Sequence, residues 1–279
     1  PDFMVWNQVK ELPFFWKPFY SFPVAVIGAI LVPMAFALVF GFFAFRSRIK
    51  GVYFAIITQA LALVAWLVFN RNDTNLGGTN GLTDFKQVIG YRLSEPGTQR
   101  VLYVITVLCL GASYLFCQWI IRSRAGRVLV AVRDSEKRVV FSGYTPANYK
   151  LFVFVVAAAL AGLAGMLYAP QVGIITPAQI GVLPSLEMVI WVAVGGRASL
   201  AGAVLGAVSV NYGRSILTNY FPELWPFILG GLFVLVVLLF PDGLIGMMRK
   251  AKSLLGRRKP DGGEPVVPAE KAAVLEGKR

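Results

Sequence analysis

Four stretches of this chain carry almost nothing that water solvates well: 22–45 (FPVAVIGAILVPMAFALVFGFFAF), 51–69 (GVYFAIITQALALVAWLVF), 101–121 and 151–169. A fifth, 224–240, is somewhat shorter, and the opening residues form a further apolar region. About 20 apolar residues make a helix long enough for the hydrocarbon core of a bilayer, and in lipid a helix satisfies its backbone within one segment. The chain is 57% hydrophobic and 15% charged, against about a quarter charged in a soluble domain. One aqueous core cannot hide that much apolar surface. The expected fold is all-α: a polytopic transmembrane helical bundle.

The charge between the runs orients them. RSRIK (46–50) has three basic residues and no acid, and 122–150 has seven basic against two acidic. The tail 241–279 has nine basic residues, six of them between Arg249 and Lys259, whereas 70–100 is nearly balanced, four against three. Positive loops stay inside, so 46–50, 122–150 and the tail are read as cytoplasmic and 70–100 as external. Residues 1–21 are then an external interfacial segment whose Trp6, Phe14, Phe15, Trp16, Phe19 and Tyr20 suit an aromatic belt. The membrane domain is expected over 22–248, and 249–279, rich in charge, Pro and Gly, as a disordered basic tail able to touch anionic lipid. The chain opens on Pro1 without a signal-peptide pattern and is expected to lack an N-terminal part with further spans.

That parity bears on 187–210 (EMVIWVAVGGRASLAGAVLGAVSV). With 170–185 and 211–223 both outside, it must enter and leave on one side. A re-entrant pair of half-helices, 187–194 and 199–210, follows, with GGRA turning at about mid-depth. Gly195 and Gly196 would end the first half, Ser199 would cap the second, and Arg197 would close the turn beside a helix C-terminus that favours a cation. Arg197 facing a translocation path stays open, as does a single kinked span. Ala158/Gly162, Ala161/Gly165 and Gly202/Gly206 have the small-residue spacing that lets helices cross closely.

Several function classes are excluded or weakened early, an ion-coupled secondary transporter remaining as a lower alternative. The net charge of +13 does not point to nucleic acid, because the positives gather beside apolar runs. There is no histidine, so Ser113 in Gly111-Ala112-Ser113 has no base to make it a nucleophile. An ion-coupled secondary transporter would need an intramembrane relay, for which only Glu187, near the external boundary, qualifies. Cys109 and Cys117, eight residues apart, read as inert thiols, with no metal site. No Gly-x-x-x-x-Gly-Lys-[Ser/Thr] motif occurs, so no nucleotide is expected to bind by that device, and no cofactor is expected on this chain.

The inside segment 124–150 carries the most information. RVLVAVRDSEKRVVFS predicts one short helix with Leu129, Val132, Val139 and Val140 on a broad apolar side. Gly143 stops it, and Thr145-Pro146 opens the next span. This is either an ordinary basic loop or a docking helix that takes force from a soluble subunit. The block Gly126, Leu129, Ala131, Arg133, Asp134, Gly143, Tyr149, Lys150 and the following AAALAGLAG (157–165) resembles permease subunits of the branched-chain amino-acid type of ABC importers. GGTNGLTDFK (77–86) and VAVGGRASLAGAVLGA (192–207) are similar too, and the resemblance covers roughly 46–249. RIKGVYFAIITQALAL, GGTNGLTDFK and the FPE/FPDGLIG pair look most like the urea permeases of that family, the UrtC type.

The resemblance implies a multi-pass protein of the bacterial inner membrane that forms part of the path for urea, with branched-chain amino acids as the alternative. It implies a coupling helix at about 124–144, with Gly126, Arg133, Asp134, Glu136, Lys137 and Gly143 as its coupling residues. Its implied partners are a second homologous permease subunit, cytoplasmic ATPase subunits that use the ATP, an extracytoplasmic substrate-binding protein and the lipid bilayer. Asn75, Thr79 and Asn80 in NDTNLGGTNGLTD are turn formers that any external loop could carry, or contacts for cargo or binding protein. Thr58 and Gln59 within the second span either bond a neighbouring helix or line a polar conduit. Glu187 and Arg197 complete the path candidates.

Overall fold

The computed structural model describes residues 14, 16–47, 51–71, 78–83, 85, 87–88, 90–197, 199–221, 224–239, 243 and 246. Nine helices are described: α1 Phe22–Arg46, α2 Val52–Asn70, α3 Pro96–Arg122, α4 Arg124–Asp134, α5 Glu136–Phe141, α6 Pro146–Val172, α7 Val182–Gly195, α8 Leu200–Tyr220 and α9 Trp225–Leu239. Among the described residues five are long and apolar enough to cross a membrane: α1, α2, α3, α6 and α8. Four match the runs read from the sequence. The fifth is α8 rather than the 224–240 run, whose described helix α9 has 15 residues. Trp6, Phe15, Asn75 and the tail 249–279 lie outside the described residues.

The chain divides into two compact units, Pro1–Met188 and Val189–Arg279, with the boundary inside α7. In the first unit α1 and α6 pack along their lengths, and their residues explain why. Pro33 inside α1 has no N–H, so it leaves the carbonyl of Ala29, four residues earlier, without its helical donor. Gly162 of α6 stands against that same carbonyl, and a Cβ at 162 would land on it. Twelve residues further along α1, Gly41 makes room for Leu151 and Phe154 of α6, so the two helices run antiparallel. Next to this crossing, Phe40 and Phe45 of α1, Phe54 of α2 and Phe154 of α6 form a ring cluster with centroids 5.4 to 6.5 Å apart. It gathers the end of α1 and the starts of α2 and α6, the three ends that charge assigns to the inside.

The opposite ends also meet. Strand β1 (Leu82–Thr83), after α2, pairs antiparallel with β4 (Ile174–Ile175), after α6, in the register Leu82↔Ile175 and Thr83↔Ile174. Gly81 precedes β1 at φ +70°, and a Cβ there would strike the Ile175 carbonyl; both conditions require glycine. The 3₁₀ turns Gly78–Asn80 and Pro177–Ile180 pack on α2 and on each other. A small hairpin, β2 (Gln87–Val88) with β3 (Tyr91–Arg92), lies between β1 and α3. At the N-terminus the Phe19 ring fills the space over Gly28 and meets Trp16 edge-on at 6.3 Å. The loops read as external therefore assemble at one end of this unit.

The second unit is a helical hairpin with α9 beside it. The chain breaks at the GGRA stretch: α7 ends at Gly195, Gly196 has φ +119°, and the Ser199 side chain accepts from the Gly202 N–H at 3.4 Å. Gly195 faces the Gly202 carbonyl, Gly206 faces that of Trp191, and Ile190 meets Val210 and Leu229 in the core. Contacts that step backwards along one arm and forwards along the other define an antiparallel reversal, which replaces the kinked single span. The expected second arm is corrected: α8 does not end at 210 but continues to Tyr220. Its extension NYGRSILTNY is polar, and helical backbone hydrogen bonds do not depend on apolar side chains. Gly243, downstream of α9, stands against Gly196, where a Cβ would come 2.5 Å from the Gly196 N and Cα.

Candidate functional site

Between α3 and α6 the chain leaves the spans for a helix pair, α4 and α5. A single residue, Ser123, separates α3 from α4. Its hydroxyl donates to the Ile120 carbonyl at 2.6 Å and accepts from the Gly126 N–H at 3.2 Å. The turn is so tight that a Cβ on Gly126 would collide with the carbonyls of Ile120 and Ile121. Gly126, expected among the coupling residues, is thereby a buried hinge of the fold.

The one helix expected over this segment is two. Ser135 is extended at φ −159°, ψ 96°, and its N–H still closes α4 on Ala131 at 2.9 Å. Asp134 and Ser135 are weak helix formers that compete for backbone hydrogen bonds, which places the break. Of the expected apolar side, Val132 and Val139 are buried and Leu129 is half-buried, but Val140 is 55% exposed. Gly143 stops α5 as expected, at φ +83°. The Gly143 N–H reaches the Val140 carbonyl and the Tyr144 N–H that of Val139, a Schellman pair. Thr145 occupies the N-cap of α6, but its side chain makes no cap bond there.

Charge on this pair is arranged unevenly. Glu136 Oε1 meets Lys150 Nζ at 3.0 Å with both side chains half-buried, joining α5 to α6. Arg133 Nε donates to Asp134 Oδ1 at 3.0 Å, but these are chain neighbours, 72% and 62% exposed. That pair fixes nothing beyond its own turn and remains available to a partner, as does exposed Lys137. The two helices also flank an open cleft of about 430 Å³ whose lining includes Arg127, Asp134, Ser135, Arg138, Ser142 and Tyr144. The sequence reading passed over Arg127 and Arg138 in this role. Their four-residue steps through Ala131 and Asp134–Ser135 were the available signal.

The path candidates are dispersed. Thr58 on α2 donates to the Ala55 carbonyl of its own helix at 2.9 Å, not to a neighbouring helix, and Gln59 is exposed. Thr79 and Asn80 are exposed on the 3₁₀ turn at the strand-paired end, and Asn75 is not among the described residues. Glu187 is half-buried on α7, and Arg197 is exposed in the hairpin turn. Two polar contacts escaped the sequence reading. Gln171 Nε2 of α6 donates to Thr106 Oγ1 of α3 at 2.6 Å, and Gln179 Nε2 donates to the Tyr168 hydroxyl at 3.0 Å. Polarity within an apolar run, the signal that singled out the pair Thr58 and Gln59, would have found Thr106. Among the described residues no group of three or more His, Cys, Asp or Glu could hold a metal ion.

Apolar helices of spanning length on both sides of a basic, two-helix excursion define a multi-pass membrane protein. Residues 3–237 match the family model described as branched-chain amino acid transport system / permease component, and the chain belongs to that family. The chain is similar to the high-affinity branched-chain amino acid transport system permease protein LivM of Salmonella typhimurium, 27% identical over 72% of this chain and 52% of that protein. It is also similar to the corresponding permease protein BraD of Pseudomonas aeruginosa, 32% identical over 53% of this chain and 47% of the relative. A probable LivM of Methanocaldococcus jannaschii is 24% identical over 81% of this chain and 70% of its own. The chain thus spans about half the length of the first two. No solved structure matches it. The family's description is that of a transport permease component, not an enzyme.

Proposed function

We propose that this chain is a permease subunit of an ATP-driven importer for branched-chain amino acids. In this reading it works with a second permease, a cytoplasmic ATPase and an external binding protein. The observation that carries the reading is the family match over 3–237 together with relatives named for branched-chain amino acids. The urea cargo implied by the RIKGVYF and FPDGLIG resemblance gains no support from those relatives, and the branched-chain reading replaces it.

The α4–α5 pair is the proposed site of coupling, with Arg133, Asp134 and Lys137 as the groups that meet the ATPase. Their exposure and the unshared turn of Arg133–Asp134 support this role; Glu136 acts through Lys150 to hold the pair in place. The strand-paired end, with exposed Thr79 and Asn80, is the proposed receiving face for cargo or binding protein. The test is ATP hydrolysis by the reconstituted assembly with binding protein present. Leucine should stimulate it and urea should not. Stimulation by urea alone would reverse the cargo assignment, and uptake driven by a proton gradient without any ATPase would remove the importer class.

A further inference from the structure

We propose that the cleft between α4 and α5 is a binding site for the phosphate headgroup of an anionic phospholipid of the inner leaflet. The excursion 122–150 holds only two acids, and each already has a basic partner: Asp134 with Arg133, and Glu136 with Lys150. Arg127 and Arg138, both lining the cleft, make no ion pair among the described residues. Asp134 lines the same cleft and pairs with its neighbour Arg133 at 3.0 Å. An open cleft of about 430 Å³ lined by two exposed arginines without an ion pair among the described residues favours an anion. The planar five-donor fork of arginine matches phosphate oxygens. Ser135 and Tyr144 add hydroxyls to the lining; the Ser142 hydroxyl already donates to the Arg138 carbonyl at 3.1 Å.

Position argues for a lipid as the source of the phosphate. The excursion is tethered at both ends to helices of spanning length, through Ser123 to α3 and through Thr145 to α6. With α4 only ~16 Å long at 1.5 Å per residue, the cleft stays within about one α4 length of the ends of α3 and α6. Val130, Val140 and Phe141 of the same two helices are 44%, 55% and 91% exposed. Free cations next to exposed apolar side chains are the two elements of an interfacial site, one for headgroups and one for the acyl boundary. The inference concerns the same helix pair assigned above to coupling, but not its cargo.

The test uses the full chain purified in uncharged detergent without the ATPase, read by bound-lipid counting in native mass spectrometry and by melting temperature. Phosphatidylglycerol should be retained and should raise the melting temperature more than phosphatidylcholine does. R127Q/R138Q should weaken retention on the order of tenfold. R127K/R138K, which keeps charge but loses the fork, should fall between that variant and the unmodified chain. R124Q/K137Q, of equal charge loss away from the cleft lining, should leave retention unchanged. Equal response to both lipids, equal loss in the two glutamine pairs, or no loss in R127Q/R138Q would overturn the proposal. Inorganic phosphate reproducing the full shift would assign the cleft to a free anion and overturn the lipid source. Loss of ATPase binding in R127Q/R138Q with lipid retention intact would give the cleft to the ATPase instead.

Discussion

Pro33 and Gly162 show how a single missing atom is used twice. Proline releases the Ala29 carbonyl from its helix, and glycine lets α6 come close enough for its Cα–H to point at that oxygen, a weak bond of the kind found at helix crossings. Valine at 162 would put its Cβ on the carbonyl. Gly162→Val should therefore destabilise the protein by about 1–3 kcal/mol, the usual cost of overpacking. Gly165→Ala, with nothing within 4 Å of its Cβ position, should be neutral or slightly stabilising. Denaturant unfolding in detergent separates the two. Ser123 is a second case, since its hydroxyl both donates and accepts across the α3–α4 turn. Ser123→Ala should cost about 1 kcal/mol, seen as faster amide exchange over 124–134 with slower change in α6.

At the scale of elements, the two ion pairs of the α4–α5 excursion have different jobs. Glu136–Lys150 is half-buried and joins two helices, so a double-mutant cycle with Glu136→Gln and Lys150→Met should give a coupling of up to ~1 kcal/mol. Arg133–Asp134 is exposed and local; Arg133→Ala should leave the melting temperature unchanged but reduce cargo-stimulated ATP hydrolysis in the assembly. Equal losses of stability in both cases would mean that neither pair is reserved for a partner. This division of labour was not legible in the sequence, where all four charges sit within one short stretch or beside it. The stop at Gly143 and the cap at Ser199 were legible: both act on backbone groups within five residues, and such chemistry is written locally. The break at Ser135 was missed because an apolar period continued through it, and periodicity says nothing about a single extended residue. The end of α8 was missed for the converse reason. Hydropathy falls after residue 210, but helical hydrogen bonding continues into NYGRSILTNY.

For the whole molecule the open quantity is depth, and the second unit constrains it. The arms of the hairpin differ in length: α7 has 14 residues and α8 has 21, or ~21 and ~31 Å at 1.5 Å per residue. Gly196 at the turn meets Gly243, which follows the last described helix and precedes the basic stretch 249–259. If the positive tail lies inside, as its charge predicts, the turn carrying Arg197 is expected at the inner end of the unit rather than at mid-depth. An arginine there keeps its hydration and avoids the few kcal/mol that a position at the bilayer centre imposes. Measured from that end, α8 is long enough to carry Tyr220 to the opposite surface. The two native thiols, Cys109 and Cys117, must first be replaced by alanine. In that background Arg197→Cys should react with a membrane-impermeant maleimide only in inside-out vesicles, and Tyr220→Cys only in right-side-out ones. Labelling of both from one side would mean that α8 does not traverse. Protection of 197 from both sides would return the turn to mid-depth and separate Gly196 from the inner surface.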